Sequence, residues 1–217
     1  MRIERLLTGG DRNFGYVLAD EQTGRAALVD ASYDPDRLVR WAESEGYSIT
    51  HILTTHDHAD HANGNARARE LTGAQVVMHV DGAGEADIRV NDGDTIAVGR
   101  LEVRVIGTPG HNPSHVCYYV EERGKRAVFT GDTLFVGKVG GTDFGEGARL
   151  EYESLHTKLM GLPADTRVLP GHDVGVKPES TIGHERQHNP FLVQPDLEAF
   201  VRLKRTWPEY KKAHNIA

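Results

Sequence analysis

His51-Ile52-Leu53-Thr54-Thr55-His56-Asp57-His58-Ala59-Asp60-His61 carries a β-forming run straight into His-x-His-x-Asp-His. Four ligand-type side chains in six residues, just after a strand that reads as buried, are a costly polar cluster unless a cation offsets it. Three later stretches follow the same pattern. Val103–Ile106 passes through Gly107-Thr108-Pro109-Gly110 into His111, Ala127–Thr130 through Gly131 into Asp132, and Arg167–Leu169 through Pro170-Gly171 into His172. Singly, a Pro-Gly-His or a Gly-Asp-Thr is a turn beside a strand. Together, strands lying side by side with matching direction would gather these loops at one edge. The donors are imidazole nitrogens and carboxylate oxygens without a thiolate, which suits zinc or iron better than magnesium or calcium.

The rest of the chain frames this cluster. Its 217 residues correspond to one large domain or two cramped ones, and no repeat or linker-like run divides them. A single domain over 1–217 is expected, with a mostly helical tail at about 195–214 that Pro208 interrupts. The 25 Lys and Arg against 32 Asp and Glu give a charge of -7, which excludes a generic nucleic-acid backbone binder. No run approaches the roughly 20 apolar residues that span a bilayer, and MRIERLLTGGDRNFG has no export-signal core. The one cysteine, Cys117, forbids an internal disulfide and suits a reducing compartment, so a cytoplasmic protein without membrane or nucleic-acid partners is expected.

Apolar runs predict hairpins at Tyr16–Ala19/Ala26–Asp30, Thr95–Val98/Leu101–Ile106 and Val116–Val120/Ala127–Thr130. Further strands are expected at Ser48–Thr54, Ala74–Val80 and Thr166–Leu169. Asp34-Pro35 opens a helix that stops near Gly46, and helices are expected over Ala62–Leu71 and Leu150–Leu159. Helices alternating with tight hairpins mean an α/β architecture with mixed sheets.

The run Thr55–His61 with Thr108-Pro109-Gly110-His111, Thr130-Gly131-Asp132-Thr133 and Pro170-Gly171-His172 resembles the metallo-β-lactamase superfamily in order and spacing, from about residue 3 to at least 193. The fold this implies is a four-layer αβ/βα sandwich of two mixed sheets, with metals in a cleft at the sheet edges. Phe129–Val136, Thr142-Asp143-Phe144 and Ser180–Arg186 look like the hydroxyacylglutathione hydrolase (glyoxalase II) and persulfide dioxygenase branches. By position, the resemblance puts one metal on His56, His58 and His111 and a second on Asp60, His61 and His172, with Asp132 as the bridge. A carboxylate, with two oxygens to share, suits that bridging role.

The expected function is hydrolysis of a small thioester by a hydroxide that two divalent cations, zinc first, make available near neutral pH. Asp60 would bind metal and orient the hydroxide, and the leaving thiol, with a pKa near 8.5, needs no strong acid. The alternative is a persulfide dioxygenase holding one Fe(II) on His56, His111 and Asp132, two histidines and one carboxylate. A lactone hydrolase is a third reading, and a metal-binding redox carrier without catalysis a fourth. His115, four residues past His111, leans toward the thioesterase branch, and His172-Asp173-x-Gly175 toward the dioxygenase. Two positions that help hold glutathione in the family are Gly141 and Val174 here; Lys138 is a nearby candidate anion contact. The partner is thus a small thioester or thiol-derived substrate; substrate-binding residues and oligomeric state stay open.

Other residues read more plainly. Cys117 is a buried small hydrophobe, and Trp41 and Trp207 pack on helices. His51 and His79 are structural strand residues, and His156 and His214 are exposed. His184 and His188 share a helix starting near Thr181, with a supporting or surface role. Asp57 supports the ligand run without being a ligand, and Arg186 pairs with a ligand carboxylate or with its own turn.

Overall fold

The computed structural model describes residues 1–214 of the chain. The first sheet holds β1 (Arg2–Gly9), β2 (Asn13–Asp20), β3 (Arg25–Val29), β4 (Ser48–Leu53), β5 (Gln75–His79) and β6 (Ile88–Val90), in that spatial order. The β1-β2-β3 meander is antiparallel and β3 to β6 are parallel. The parallel connections carry α1 (Pro35–Ser44), then α2 (Ala59–Ala62) and α3 (Asn65–Thr72). The second sheet holds β7 (Thr95–Val98), β8 (Leu101–Gly107), β9 (Val116–Glu122) and β10 (Lys125–Gly131). A small hairpin, β11 (Leu134–Phe135) and β12 (Lys138–Val139), and helix α4 (Glu146–Glu153) come next. Then follow β13 (Arg167–Pro170), β14 (Ser180–Thr181), α5 (Ile182–His188), α6 (Leu197–Arg205) and α7 (Trp207–Ala213). The second sheet is ordered β14-β13-β10-β9-β8-β7 and is also mixed.

Strand alternation builds the layers. On β2, Phe14, Tyr16 and Leu18 face the second sheet and meet Val103, Val105, Tyr118 and Phe129, while Val17 and Ala19 face Leu38, Val39 and Ala68 on α1 and α3. On the second sheet, Cys117, Val128 and Val168 face outward onto Leu155, Leu159, Ile182, Phe200 and Leu203. Helix, sheet, sheet, helix is the expected four-layer sandwich. Each large apolar side chain so buried contributes about 1.5–3 kcal/mol.

The three hairpins and the Asp34-Pro35 helix start occur where expected, with the Asp34 carboxylate accepting from Arg37 N. Several details differ. The helix expected over Ala62–Leu71 is two pieces, because the ligand run turns into α2 at Ala59 before α3 starts. The helix expected over Leu150–Leu159 begins at Glu146 and widens into a π turn at Ser154–Lys158, where Ser154 Oγ donates to Pro109 O. The tail breaks at Thr206, between α6 and α7, and Pro208 falls in the first turn of α7, where its missing N–H costs nothing. The four ligand-bearing strands are not all neighbours: β8, β10 and β13 run the same way in one sheet, while β4 lies in the other. The His56 run therefore reaches the others across the sandwich. Among the described residues no helix is long and apolar enough to cross a membrane.

Candidate metal centre

Both sheets close on one edge. Phe14 N donates to Gly171 O at 2.8 Å and Val116 N to Thr55 O at 2.8 Å, stitching the two halves beside the ligand loops. Two buried tyrosines brace the strand ends from within: Tyr118 OH donates to Thr54 O at 3.0 Å and Tyr16 OH to Pro170 O at 2.6 Å.

All seven expected site residues come together. The ligand atoms of His56, His58 and His111 lie within 4.8 Å of one another, as do those of Asp60, His61 and His172, and those of His56, His61 and Asp132. Asp132 stands between the clusters. Its Oδ1 is 3.3 Å from His61 Nε2 and 3.4 Å from His172 Nε2, while its Oδ2 is 3.7 Å from His111 Nε2.

The hydrogen bonds set which nitrogen of each ring is free. A carbonyl or carboxylate can only accept, so a ring nitrogen facing one carries the proton. His61 Nδ1 donates to Asp30 Oδ2 at 2.9 Å, His172 Nδ1 to Asp11 O at 2.9 Å and His111 Nδ1 to Gly141 O at 2.7 Å. Thr55 Oγ1 gives its proton to Asp30 Oδ2 at 2.8 Å, which leaves it to accept from His56 Nδ1 at 3.1 Å. Four rings thus have Nδ1 committed outward and turn Nε2 inward. His58 presents Nδ1 instead, 3.0 Å from His56 Nε2 and 3.1 Å from His111 Nε2.

Ring nitrogens crowded together repel unless a proton or a cation sits among them. The His61 and His172 Nε2 atoms are only 3.1 Å apart, and buried Asp132 Oδ1 has no hydrogen-bond partner. Both are what a metal would satisfy. The local field also favours positive charge. Burial opposes a charge on His61, but Asp30 and Asp132 outweigh it and push the ring up to about 10, so its Nε2 keeps a proton until a cation displaces it. His172 is raised likewise, against its burial, by Asp132. Asp132 is held well below the usual carboxylate range by His172 and His61, which outweigh its burial. The donor set fits zinc or iron: imidazole and carboxylate, with each imidazole oriented through its outer nitrogen.

Several supporting residues were not foreseen. Asp30 holds His61, Thr55 N and Thr55 Oγ1 at once, from a left-handed backbone (φ 49°) that is uncommon for a non-glycine residue. Its signal was visible: Ala26–Val29 is another apolar strand ending in an acid. Asn13 donates to Asp60 O at 3.0 Å and to Asp60 Oδ2 at 3.1 Å, and nothing in its local sequence marks it. His115 is buried beneath the centre. Asp132 N donates to its Nε2 at 3.1 Å, so Nδ1 carries the proton toward Thr108 Oγ1, and burial pushes the ring down to about 3. It is a neutral brace for the Asp132 loop.

Among the other singled-out residues, Asp57 accepts from Ala83 N and Asn112 Nδ2, so it supports the His58 loop. Arg186 pairs with neither a ligand carboxylate nor its own turn; it donates from α5 to Met160 O and Leu162 O at the end of the segment that follows α4. Lys138 is half-buried with its ammonium 5.1 Å from the Phe135 ring centroid, and burial together with Lys211 lowers its pKa. It lines a groove of about 260 Å³ with Gly140, Gly141, Phe144 and Trp207. Cys117 is buried and its thiol is pushed up to about 12. His51 and His79 are part-buried on their strands, and His214 is exposed. His156, expected to be exposed, is part-buried because its ring stacks on Tyr152 at 4.0 Å. His184 and His188 stack on each other at 4.5 Å on α5, and neither belongs to any of the ligand groups above.

A family model described as the metallo-beta-lactamase superfamily matches residues 8–172. The chain is 38% identical over 178 residues to a hydroxyacylglutathione hydrolase of Polaromonas sp. strain JS666, an alignment spanning 80% of this chain and 67% of that one. It is 34% identical over 193 residues to the human mitochondrial persulfide dioxygenase ETHE1, spanning 88% of this chain and 75% of that one. Among solved structures, ETHE1 from Myxococcus xanthus superposes with a TM-score of 0.87 at 35% identity, over 95% of this chain and 91% of that one.

Proposed function

The chain belongs to the metallo-beta-lactamase superfamily and is an enzyme, and we propose that it hydrolyses a small thioester of the hydroxyacylglutathione kind with two divalent cations, zinc first. The observation that supports this most is the pair of complete triads on either side of Asp132. His56, His58 and His111 would hold one cation, Asp60, His61 and His172 the other, and Asp132 would bridge them, one oxygen toward each. Bound there, two cations supply a water acidic enough to ionise near neutral pH and a Lewis acid for the acyl oxygen.

The chain's own groups do the rest. Asp60 is the more solvent-facing carboxylate, its side chain 35% exposed against 13% for Asp132, so Asp60 would help hold a cation and orient the attacking water. Asn13 holds Asp60 in that orientation by its bonds to the carbonyl and Oδ2. The departing thiol, of pKa about 8.5, needs no acid, which agrees with His115 being neutral and tied to backbone. The groove beside Gly141 would take the thiol carrier, with Lys138 as its anion contact. The compartment proposed is the cytoplasm.

A second reading is the iron persulfide dioxygenase on His56, His111 and Asp132, favoured by the superposition on the Myxococcus xanthus structure over nearly the full length of both chains. Metal analysis of protein purified without chelator, followed by substrate assays, separates the two. About two equivalents of zinc with turnover of acyl-glutathione, over acyl-CoA or lactones, supports the thioesterase. About one equivalent of iron with oxygen uptake on glutathione persulfide overturns it.

A further inference from the structure

Glu151 on α4 is fully buried, and its partner Lys204 on α6 is only 5% exposed. Removing two charges from water is costly, so an ion pair in this position needs a reason. Lys204 Nζ donates to Glu151 Oε2 and also, at 2.7 Å, to the carbonyl of Gly140. The very next carbonyl, Gly141 O, is the one that takes the Nδ1 proton of His111.

Close packing ties the pair to the centre on both sides. A Cβ on Gly140 would stand 2.1 Å from Asp132 O and 3.1 Å from Glu151 Oε1. A Cβ on Gly110, the residue before His111, would come within 2.5 Å of the Glu151 backbone. Glu151 is therefore wedged between the peptide that leads into His111 and the peptide that backs Asp132. The next turns of the same segment grip the same loop: Ser154 Oγ donates to Pro109 O at 2.8 Å and Lys158 Nζ to Gly107 O at 2.7 Å.

We propose that Lys204 and Glu151 are positioning residues for the outer side of the metal centre, locking the Gly140-Gly141 and Gly110 peptides and thereby aiming His111. The inference rests on the metal-centre reading above. It makes α6, which lies beyond the residues the family model matches, a working part of the site.

The test is a zinc-competition titration against a chromophoric chelator, with Co(II) visible spectra alongside, on wild type, Lys204→Met, Lys204→Met/Glu151→Gln and Lys204→Arg. The double variant removes the uncompensated buried carboxylate, and circular-dichroism melting confirms that it is folded. The cation next to His111 is expected to bind about 10–100-fold more weakly in both Met variants, with an altered cobalt band, and the other cation to change by less than about threefold. Lys204→Arg, which keeps charge and donor, restores most of the affinity. A folded double variant with wild-type affinity at every position overturns the proposal. Wild-type protein that takes up neither zinc nor cobalt overturns the metal-centre reading itself, before any variant is compared.

Discussion

The two halves of the centre are built differently. The inner half, His61 and His172 with Asp60, is buried around its imidazoles and held by groups from the first sheet and the β1-β2 turn: the Asp30 carboxylate, the Asn13 amide and the Asp11 carbonyl. The outer half joins buried His56 to the more exposed His58 and His111, and His111 hangs on the Gly141 carbonyl in the irregular stretch after β12. His61 is oriented by a charged side chain on the rigid core, His111 by a backbone carbonyl whose neighbouring peptide is anchored by a distant helix. Charge-assisted bonds are roughly twice as strong as neutral ones, so the inner position should be the tighter.

The largest effect falls on the group the halves share. Asp132→Ala should reduce turnover to the buffer background and lower metal content in both positions; a variant with full metal and full turnover would sink the site assignment. Next is Asp30→Asn, which keeps an acceptor for His61 but loses the charge. The inner cation should weaken about 10–100-fold and the outer one by less, because Asp30 reaches His56 only through Thr55, measured by resolved zinc titration. Equal weakening of both positions would abolish the distinction between the halves. Asn13→Ala leaves every ligand side chain in place but removes the donors to Asp60 and the Nδ2 contact 3.4 Å from His172 Nε2, so kcat should fall about tenfold, less than the roughly 10²–10⁴-fold of a proton-transfer group itself, with a smaller loss of inner-cation affinity. Asp57→Ala frees Ala83 N and Asn112 Nδ2 on the outer side and should cost about 1–3 kcal/mol in thermal or urea melts. The smallest effect is at Cys117. Buried, with its thiol pushed up to about 12, it should resist iodoacetamide in the folded protein at pH 8 and react only in denaturant.

How much of this the sequence discloses depends on the range over which each residue acts. His56 to His61, His111, Asp132 and His172 are legible because each follows its own strand through a turn, and a local pattern needs no knowledge of the sheet. The mixed sheets are legible in apolar runs joined by tight turns, as at Thr95–Val98 and Leu101–Ile106, while the four-layer sandwich is implied by the family resemblance alone. β1 is not: Arg2, Glu4 and Arg5 break up its apolar pattern at the edge of the sheet. The short strands β6, β11, β12 and β14, of two or three residues, carry too few side chains for any period. Asn13 and Asp11 act through the outer nitrogen or oxygen of a residue far along the chain, and in sequence they are ordinary turn residues. Lys204 is harder still. In an amphipathic helix it reads as one more solvated lysine, and only packing reveals that it reaches Gly140, 64 residues away.

The seam between the sheets also orders events in time. His61 and His172, whose Nε2 atoms end 3.1 Å apart, are separated by 111 positions in the chain. At roughly 5–20 residues per second of synthesis, about 6–22 s pass between the emergence of one and of the other. Throughout that interval β1 to β6 and their helices can assemble, but the Phe14 and Asn13 positions that receive Gly171 and His172 have nothing to close on. The nascent chain thus exposes His56, His58 and His61 as an incomplete chelate, and a stalled chain ending before Gly171 should bind zinc only weakly and exchange it fast. Capture of the full complement is a late event, set by the arrival of the last arm.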